Sequence, residues 1–207
     1  MSREKRAIDP EWIYHVVCRG SNRGQIVWDR VDCASFRSEL DRVATKFEWD
    51  VYAWCLMPNH HHIVLQTTKE RFSAGFQQLN GNHSRRTNRR QGRSDHLFRN
   101  RPGAFELAST AHFVGAVTYV VRNPVTAKIV DHAAEWPWSS YRATVGLEPA
   151  PAWLRSEKVI NFFGRDPKRA VAEFEHLVHI GHLPVSDTEE KISQEITVPG
   201  GVVRMNV

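Results

Sequence analysis

Apolar residues form short, dense runs in the first third of the chain. Three runs are rich in β-branched and aromatic residues, a composition that favours strands; they lie at residues 12–18, 51–57 and 60–66. Only Pro58 and Asn59 separate the second run from the third, and both residues favour turns. The pattern therefore predicts a first strand followed later by a β-hairpin.

Between and after these runs, apolar residues recur with the period of a helix. One helix is predicted from a cap at Asp32 to about residue 48, and a second begins near Lys69. Phe105 alternates with small or polar neighbours and indicates a short fourth strand. A third helix is predicted at 109–122, ended by Asn123 and Pro124.

The order strand, helix, strand, strand, helix, strand is typical of a ferredoxin-like α+β fold, an antiparallel sheet with helices on one side. We predict a main domain at 1–135 and a C-terminal helical extension at 136–183 that packs on it. Residues 184–207 are predicted to be a weakly ordered tail.

The composition is that of an ordinary globular protein. The 207 residues are 41% hydrophobic and 25% charged, which argues against a disordered or fibrous chain. No apolar run approaches the roughly 20 residues that span a bilayer, and the N-terminus leads into no signal-peptide core. We therefore expect a cytoplasmic protein without membrane contact. The three cysteines have no metal-site or disulfide spacing.

Positive charge is concentrated in one segment. Residues 83–102 contain seven arginines and one aspartate, a local charge of +6 against +5 for the whole chain. Such a run is often only a solvated helix face, but here asparagine, glutamine and histidine are interleaved with the arginines and could contact bases. The residues predicted to bind nucleic acid in this run are Arg85, Arg86, Arg89 and Arg90.

Three further polar residues, Arg19, Asn22 and Arg23, follow the first strand. They could contact nucleic acid or simply form a turn, and the sequence leaves both interpretations open.

Three consecutive histidines begin the second strand of the predicted hairpin. Alternation along a strand places His60 and His62 on one face and His61 on the other. Two imidazoles spaced in this way can bind one metal ion, although a His-x-His pair alone is more often a surface or core pair. Tyr119 lies off the apolar stripe of the third helix. It could be an ordinary half-buried tyrosine or, beside a metal-bound phosphate, a nucleophile.

Several blocks of the sequence together resemble one family. They are Tyr14-His15-Val16 with Arg19-Gly20-Ser21-Asn22-Arg23, Leu56-Met57-Pro58-Asn59-His60-His61-His62-Ile63-Val64, His96-Leu97-Phe98, Tyr119-Val120-Val121-Arg122-Asn123-Pro124-Val125 and Trp138-Ser139-Ser140-Tyr141-Arg142-Ala143. In this order, over roughly residues 12–180, they resemble the REP-associated tyrosine transposases, which belong to the single-tyrosine HUH transposases of bacterial insertion sequences.

The resemblance implies an HUH nuclease domain that cleaves single-stranded DNA, often at palindromic repeat hairpins, through a transient 5′-phosphotyrosine. Tyr119 would be the nucleophile, and His60 and His62 would bind a divalent cation, Mg²⁺ or Mn²⁺. Asn123, four residues after Tyr119, matches the position of a glutamine ligand in the wider family, although an asparagine before a proline could also simply end the helix. Repeat-associated members can act as monomers, so a monomer is favoured over a homodimer.

The chain departs from the family pattern at two places near these blocks. The position between the ligand histidines is normally bulky and hydrophobic but is His61 here, which could be buried and neutral or could offer the metal a wrong register. The family's Gly-Arg-aromatic-Lys type segment is replaced by Arg99-Asn100-Arg101-Pro102-Gly103, which lacks the lysine.

Two other functional classes remain as alternatives. A noncatalytic or domesticated nucleic-acid-binding protein of the same fold would use only the arginines, and the presence of His60, His62 and Tyr119 argues against it. A zinc hydrolase would need an acidic general base near the histidine pair, such as the glutamate of H-E-x-x-H, and none is found there.

Overall fold

The computed structural model describes residues 12–181. Its centre is a four-stranded antiparallel sheet with the strand order β2-β3-β1-β4. The strands are β1 (Ile13–Arg19), β2 (Asp50–Leu56), β3 (His60–Gln66) and β4 (Gly103–Glu106). β2 and β3 pair directly across the turn at Pro58 and Asn59, which confirms the predicted hairpin.

Two helices complete a βαββαβ unit with the sheet, and four more follow in the described residues. The helices are α1 (Arg30–Lys46), α2 (Lys69–Gln91), α3 (Thr110–Thr126), α4 (Tyr141–Thr144), α5 (Ser156–Asn161) and α6 (Pro167–Ile180). Element order and strand order are those of a ferredoxin-like unit, so the predicted α+β fold class is confirmed.

The two faces of the sheet are covered by different helices. On one face, here called the α1–α2 face, His61 contacts Phe36 of α1 and Asn80 of α2. On the other, here called the α3 face, His62 contacts Tyr119 of α3. The predicted placement of helices on one side thus holds for α1 and α2, the two helices of the ferredoxin-like unit, whereas α3 covers the opposite face.

Two helix ends differ from the sequence prediction. Asp29, not Asp32, is the N-cap of α1, and its carboxylate accepts the backbone N–H of Asp32. α3 does not end at Asn123 and Pro124 but continues to Thr126, with both residues buried inside it. Pro124 has no N–H to donate to the Val120 carbonyl four residues earlier, but the chain stays hydrogen-bonded beyond it: the Asn123 carbonyl accepts the backbone N–H of Ala127, and the Pro124 carbonyl accepts that of Ile129.

The C-terminal segment of the described chain packs against the hairpin. The indole N–H of Trp136 donates to the carbonyl of Leu56, and Ser139 forms a β-bridge with Cys55. Asp166 caps α6 before Pro167, as the sequence predicts. The division at residue 135/136 stays a prediction, and the tail predicted at 184–207 lies outside the described residues. No helix within residues 12–181 is long and apolar enough to cross a membrane.

The packing of α2 against Trp49, the residue before β2, can be tested at the two internal glycines of this helix. A Cβ at Gly75 would overlap the indole of Trp49, which is 1% exposed. A Cβ at Gly81 would meet only the flexible end of Arg85, at 3.6 Å. We expect Gly75→Ala to lower the free energy of unfolding by about 1–3 kcal/mol through overpacking.

The matched control is Gly81→Ala on the same helix, which should be neutral or raise the free energy of unfolding by about 0.5–1 kcal/mol through helix propensity. Urea denaturation of both variants measures the difference. Equal free energies would show that α2 is not seated on Trp49 as described.

Candidate active site

The histidines of β3 are divided between the two faces of the sheet as their alternation predicts. His60 and His62 lie on the α3 face, with their ring centroids 4.7 Å apart. His61 lies on the α1–α2 face, where its Nε2 donates to Asn80 Oδ1 at 2.9 Å. His61 is fully buried, and burial lowers its pKa to about 3, so it is neutral. Of the two alternatives for His61, the structure shows the buried, neutral side chain outside the histidine pair.

The Nδ1 atoms of the pair are engaged in hydrogen bonds while the Nε2 atoms are not. His60 Nδ1 donates to Asn59 Oδ1 at 2.6 Å, and His62 Nδ1 lies 2.8 Å from Nε2 of His15. The Nε2 atoms of His60 and His62 are both buried without a hydrogen-bond partner. Buried, unpartnered nitrogens are costly unless something binds them, so this donor pair fits a divalent cation.

The cation would need ligands other than further acidic, cysteine or histidine side chains. Within residues 12–181, no group of three or more His, Cys, Asp or Glu side chains is placed to hold a metal ion. An amide oxygen, water or a phosphate oxygen of the substrate would have to complete the coordination.

All three imidazoles on this face are neutral at physiological pH. Burial lowers the pKa of His15 to about 3 and that of His60 to about 4, and it holds the pKa of His62 well below the usual value. The positive charge of Arg19 adds to the effect on His60. Neutral imidazole is the form that binds metals, so the site needs no deprotonation before it can accept a cation.

Tyr119 reaches the histidine pair from α3. Its ring centroid lies 5.6 Å from that of His62 and 5.9 Å from that of His15, in edge-to-face contacts. Its side chain is partly buried. The structure therefore brings the predicted nucleophile to the predicted ligand pair, although Tyr119 lies 57 positions after His62 in the sequence.

Asn123 lies one turn further along α3 and is 5% exposed. Its Nδ2 donates to the backbone carbonyl of Tyr119 at 3.2 Å. The amide also lies next to His60, where its contact opposes the effects of burial and Arg19 on the pKa of that histidine. Because Asn123 lies inside the helix, the alternative that it merely ends α3 is wrong, while its role as a ligand stays a prediction.

A basic edge borders the site where β1 ends. Arg19 is paired with His60 in the sheet register, and its carbonyl accepts the backbone N–H of Arg99 at 2.9 Å. Asn22 and Arg23 are exposed in the following turn, with φ angles of 52° and 58° in the left-handed region. Arg99 counts among the arginines of the basic run, but only the pairing of its loop with β1 reveals that it borders the site.

The arginines of α2 lie elsewhere. Arg85, Arg86 and Arg89 are exposed on a helix that covers the α1–α2 face, away from Tyr119. Arg90 is engaged by two carboxylates: its Nη2 lies 2.8 Å from Asp29 Oδ2, and its Nη1 pairs with Asp32. This pairing lowers the pKa of Asp29 to about 2. Arg90 thus fastens the end of α2 to the start of α1.

His15 is the other residue of the site that was not predicted. It is 1% exposed and contacts both His62 and Tyr119. Strand alternation along β1 places it on the same face as Val17 and Arg19, but its contact with His62 depends on the register between β1 and β3.

Comparison with known proteins gives a family and a fold. A solved structure of a REP-associated tyrosine transposase bound to a REP hairpin aligns with a TM-score of 0.58 and 19% identity, over 72% of this chain and 89% of that one. A crystal structure of a candidate transposase from Deinococcus radiodurans R1 aligns with a TM-score of 0.40 and 18% identity, over 59% of this chain and 97% of that one. At that score, the second alignment establishes no shared fold. No curated protein matches the sequence significantly.

The family model "Transposase IS200 like" matches residues 10–118, more than half of the chain. The matched segment contains the histidine pair and stops just before Tyr119, which the structure places beside that pair. The chain therefore belongs to the family of IS200-like transposases.

Proposed function

We propose that the protein is a single-strand DNA endonuclease and strand transferase that works through a 5′-phosphotyrosine on Tyr119. The observation that carries this proposal is the juxtaposition of two buried, unpartnered imidazole nitrogens with a tyrosine whose ring is 5.6 Å from one of them. Membership of a transposase family supports a DNA-cleaving role for this site.

In the proposed reaction, the phenolic oxygen of Tyr119 attacks a phosphodiester phosphorus and gives up its proton to solvent. The bond from phosphorus to the 3′ oxygen breaks, and that oxygen takes up a proton to become a free 3′-hydroxyl. The 5′ phosphate stays on Tyr119, so the phosphodiester energy is kept for religation or strand transfer. No water-activating base is needed for the first step.

His60 and His62, with Asn123 as the proposed third ligand, would hold a divalent cation, Mg²⁺ or Mn²⁺. When bound, such an ion supplies positive charge that polarises the scissile phosphate. The chain itself contributes strand β3, on which burial keeps both imidazoles neutral, and helix α3, which presents Tyr119 and Asn123 from one side. Arg19 adds a positive charge close to His60, where a substrate phosphate would approach.

The proposed partner is single-stranded DNA with a hairpin, because the structurally similar REP-associated transposase is bound to one. A monomer and a cytoplasmic location belong to the same proposal. The noncatalytic DNA- or RNA-binding alternative keeps the exposed arginines but leaves the arrangement of His60, His62 and Tyr119 without a purpose.

The test uses the purified full chain and single-stranded repeat hairpins from its own genome, labelled at either end. With Mg²⁺ or Mn²⁺, the 3′-labelled strand should run with the protein on a denaturing gel, because a 5′-phosphotyrosine keeps the DNA on the 3′ side of the cut. The 5′-labelled strand should give a shorter free product. DNA binding without any covalent adduct would overturn the endonuclease assignment and favour the noncatalytic alternative.

The exposed arginines of α2 are proposed to bind DNA phosphates outside the cleavage site. Replacing Arg85, Arg86 and Arg89 together by alanine should weaken hairpin binding and flatten its salt dependence. For single strands the log–log slope should fall by roughly 0.7 for each lost phosphate contact, about 2 in all. Fluorescence anisotropy over a salt series measures the slope.

Arg90→Ala is the matched comparison, one residue beyond Arg89. Its guanidinium is already paired with Asp29 and Asp32, so this variant should lower thermal stability and leave the salt slope unchanged. If the triple variant keeps the wild-type slope, the basic face of α2 is only solvated.

A further inference from the structure

One buried histidine of the α3 face has no part in the proposed reaction. His15 lies in the middle of β1 with 1% of its surface exposed. Its ring stacks on that of His62 with centroids 5.0 Å apart, and its Nε2 is 2.8 Å from His62 Nδ1. A buried polar ring at the centre of a strand is costly where an aliphatic residue would pack, so its contact with His62 calls for an explanation.

The contact between the two rings has a chemical consequence for His62. A hydrogen bond between two neutral imidazoles needs one N–H and one lone pair. If His15 donated from Nε2, His62 would carry its proton on Nε2 and could not bind a cation there. If His62 donates from Nδ1, its Nε2 lone pair is open.

His60 shows which of these arrangements suits the pair. Its Nδ1 faces Asn59 Oδ1 at 2.6 Å, and a carbonyl oxygen can only accept. His60 therefore carries its proton on Nδ1, and the lone pair on its Nε2 is directed toward the site. A cation shared with His62 requires the same tautomer there, so His15 must be the acceptor.

We propose that His15 is a positioning residue that accepts the Nδ1 proton of His62 and so fixes the tautomer and ring orientation in which His62 binds a divalent cation. This inference rests on the metal site of the proposed function. The polar partner of a metal-binding histidine normally adds to affinity, and its loss costs about 10- to 100-fold.

The experiment measures Mn²⁺ binding to the full chain without DNA, by electron paramagnetic resonance of the free ion. His15→Phe keeps an aromatic ring of similar size between His62 and Tyr119 but removes the acceptor. It should weaken Mn²⁺ binding about 10- to 100-fold. His15→Gln, whose amide oxygen can reach the place of the lost Nε2, should recover most of that affinity.

The control is His83→Phe, the same substitution at another buried histidine. His83 Nε2 donates to the carbonyl of Ile26 at 2.7 Å, and its ring contacts Phe36 on the opposite face of the sheet. This variant also loses a buried hydrogen bond, but its Mn²⁺ affinity should equal that of the wild type. A weakened affinity in His83→Phe would mean that general destabilisation, not the contact with His62, lowers Mn²⁺ binding.

A second measurement needs no variant. With saturating Mg²⁺, long-range ¹H–¹⁵N spectra of the wild type should show His62 protonated on Nδ1. Protonation on Nε2, or an unchanged Mn²⁺ affinity in His15→Phe, would overturn the role of His15 while leaving the proposed function intact. If replacing His60 by alanine leaves Mn²⁺ binding unchanged, the metal site itself is overturned, and this inference with it.

Discussion

Tyr119→Phe is expected to abolish both cleavage and the covalent protein–DNA adduct. The substitution removes one oxygen and keeps the ring, whose edge-to-face contacts with His15 and His62 do not involve the hydroxyl. Since the substitution removes the proposed attacking atom, the single-turnover cleavage rate should fall at least about a thousandfold. The affinity of the protein for the DNA hairpin should stay within about threefold of the wild-type value, because at most one hydrogen bond is lost. Denaturing gels and anisotropy report the two quantities separately.

The matched control is Tyr52→Phe. Tyr52 packs against Phe113 of α3 and donates its hydroxyl to Gln66 at 3.0 Å, so it loses an equivalent oxygen near the same helix. This variant should form the adduct as the wild type does. An adduct that survives in Tyr119→Phe would show that another residue is the nucleophile.

The arrangement of the histidine triplet could be predicted because it depends on local geometry alone. Side chains on a strand alternate with a period of two, so any strand at 60–66 separates His61 from its two neighbours. The β-hairpin of β2 and β3 could be predicted for the same reason, since the short connection at Pro58 and Asn59 leaves no room for anything but a turn. The structure adds what fills each face: Asn80 and Phe36 around His61, and Tyr119 beside His62.

The end of α3 shows where a local rule failed. Asparagine before proline is a common helix boundary, because proline disfavours helical backbone in the residue before it. Here both residues are buried, and the last turn is held by tertiary packing and by hydrogen bonds from Ala127 and Ile129. The difference matters for the site, because the continued helix places Asn123 one turn after Tyr119, with its Nδ2 donating to the Tyr119 carbonyl.

The remaining features of the site that the sequence did not predict depend on contacts between residues far apart in the chain. The periodicity of apolar residues carries no information about such contacts. His15 meets His62 because β1 pairs with β3 in one particular register, 47 residues apart. Arg99 borders the site because its loop continues beside Arg19. A count of charges also cannot separate Arg89, which is exposed, from Arg90, which two carboxylates engage.

Asn123→Ala is expected to raise the metal concentration needed for half-maximal cleavage by about 10- to 100-fold. The two histidines offer only two donor atoms, and residues 12–181 place no third acidic, cysteine or histidine ligand beside them. The Asn123 amide lies next to His60 and its Nδ2 donates to the Tyr119 carbonyl, so its Oδ1, the atom of an amide that binds such cations, is the proposed ligand. The helix should persist because alanine is the better helix former. Cleavage titrated with Mn²⁺ and with Mg²⁺ gives the shift.

Two further variants separate ligation from packing. Asn123→Asp keeps an oxygen at the same position. It should leave unchanged or lower the metal concentration needed for half-maximal cleavage, since a carboxylate binds these ions more strongly than an amide does. Thr118→Ala removes another buried polar group of α3, whose hydroxyl donates to the Val114 carbonyl at 2.8 Å, and should leave the titration unchanged. If Asn123→Ala titrates like the wild type, Asn123 only stabilises the last turn of α3. In that case only water and substrate phosphate would complete the coordination of the cation. The affinity of the protein for the metal should then rise when the DNA hairpin is bound.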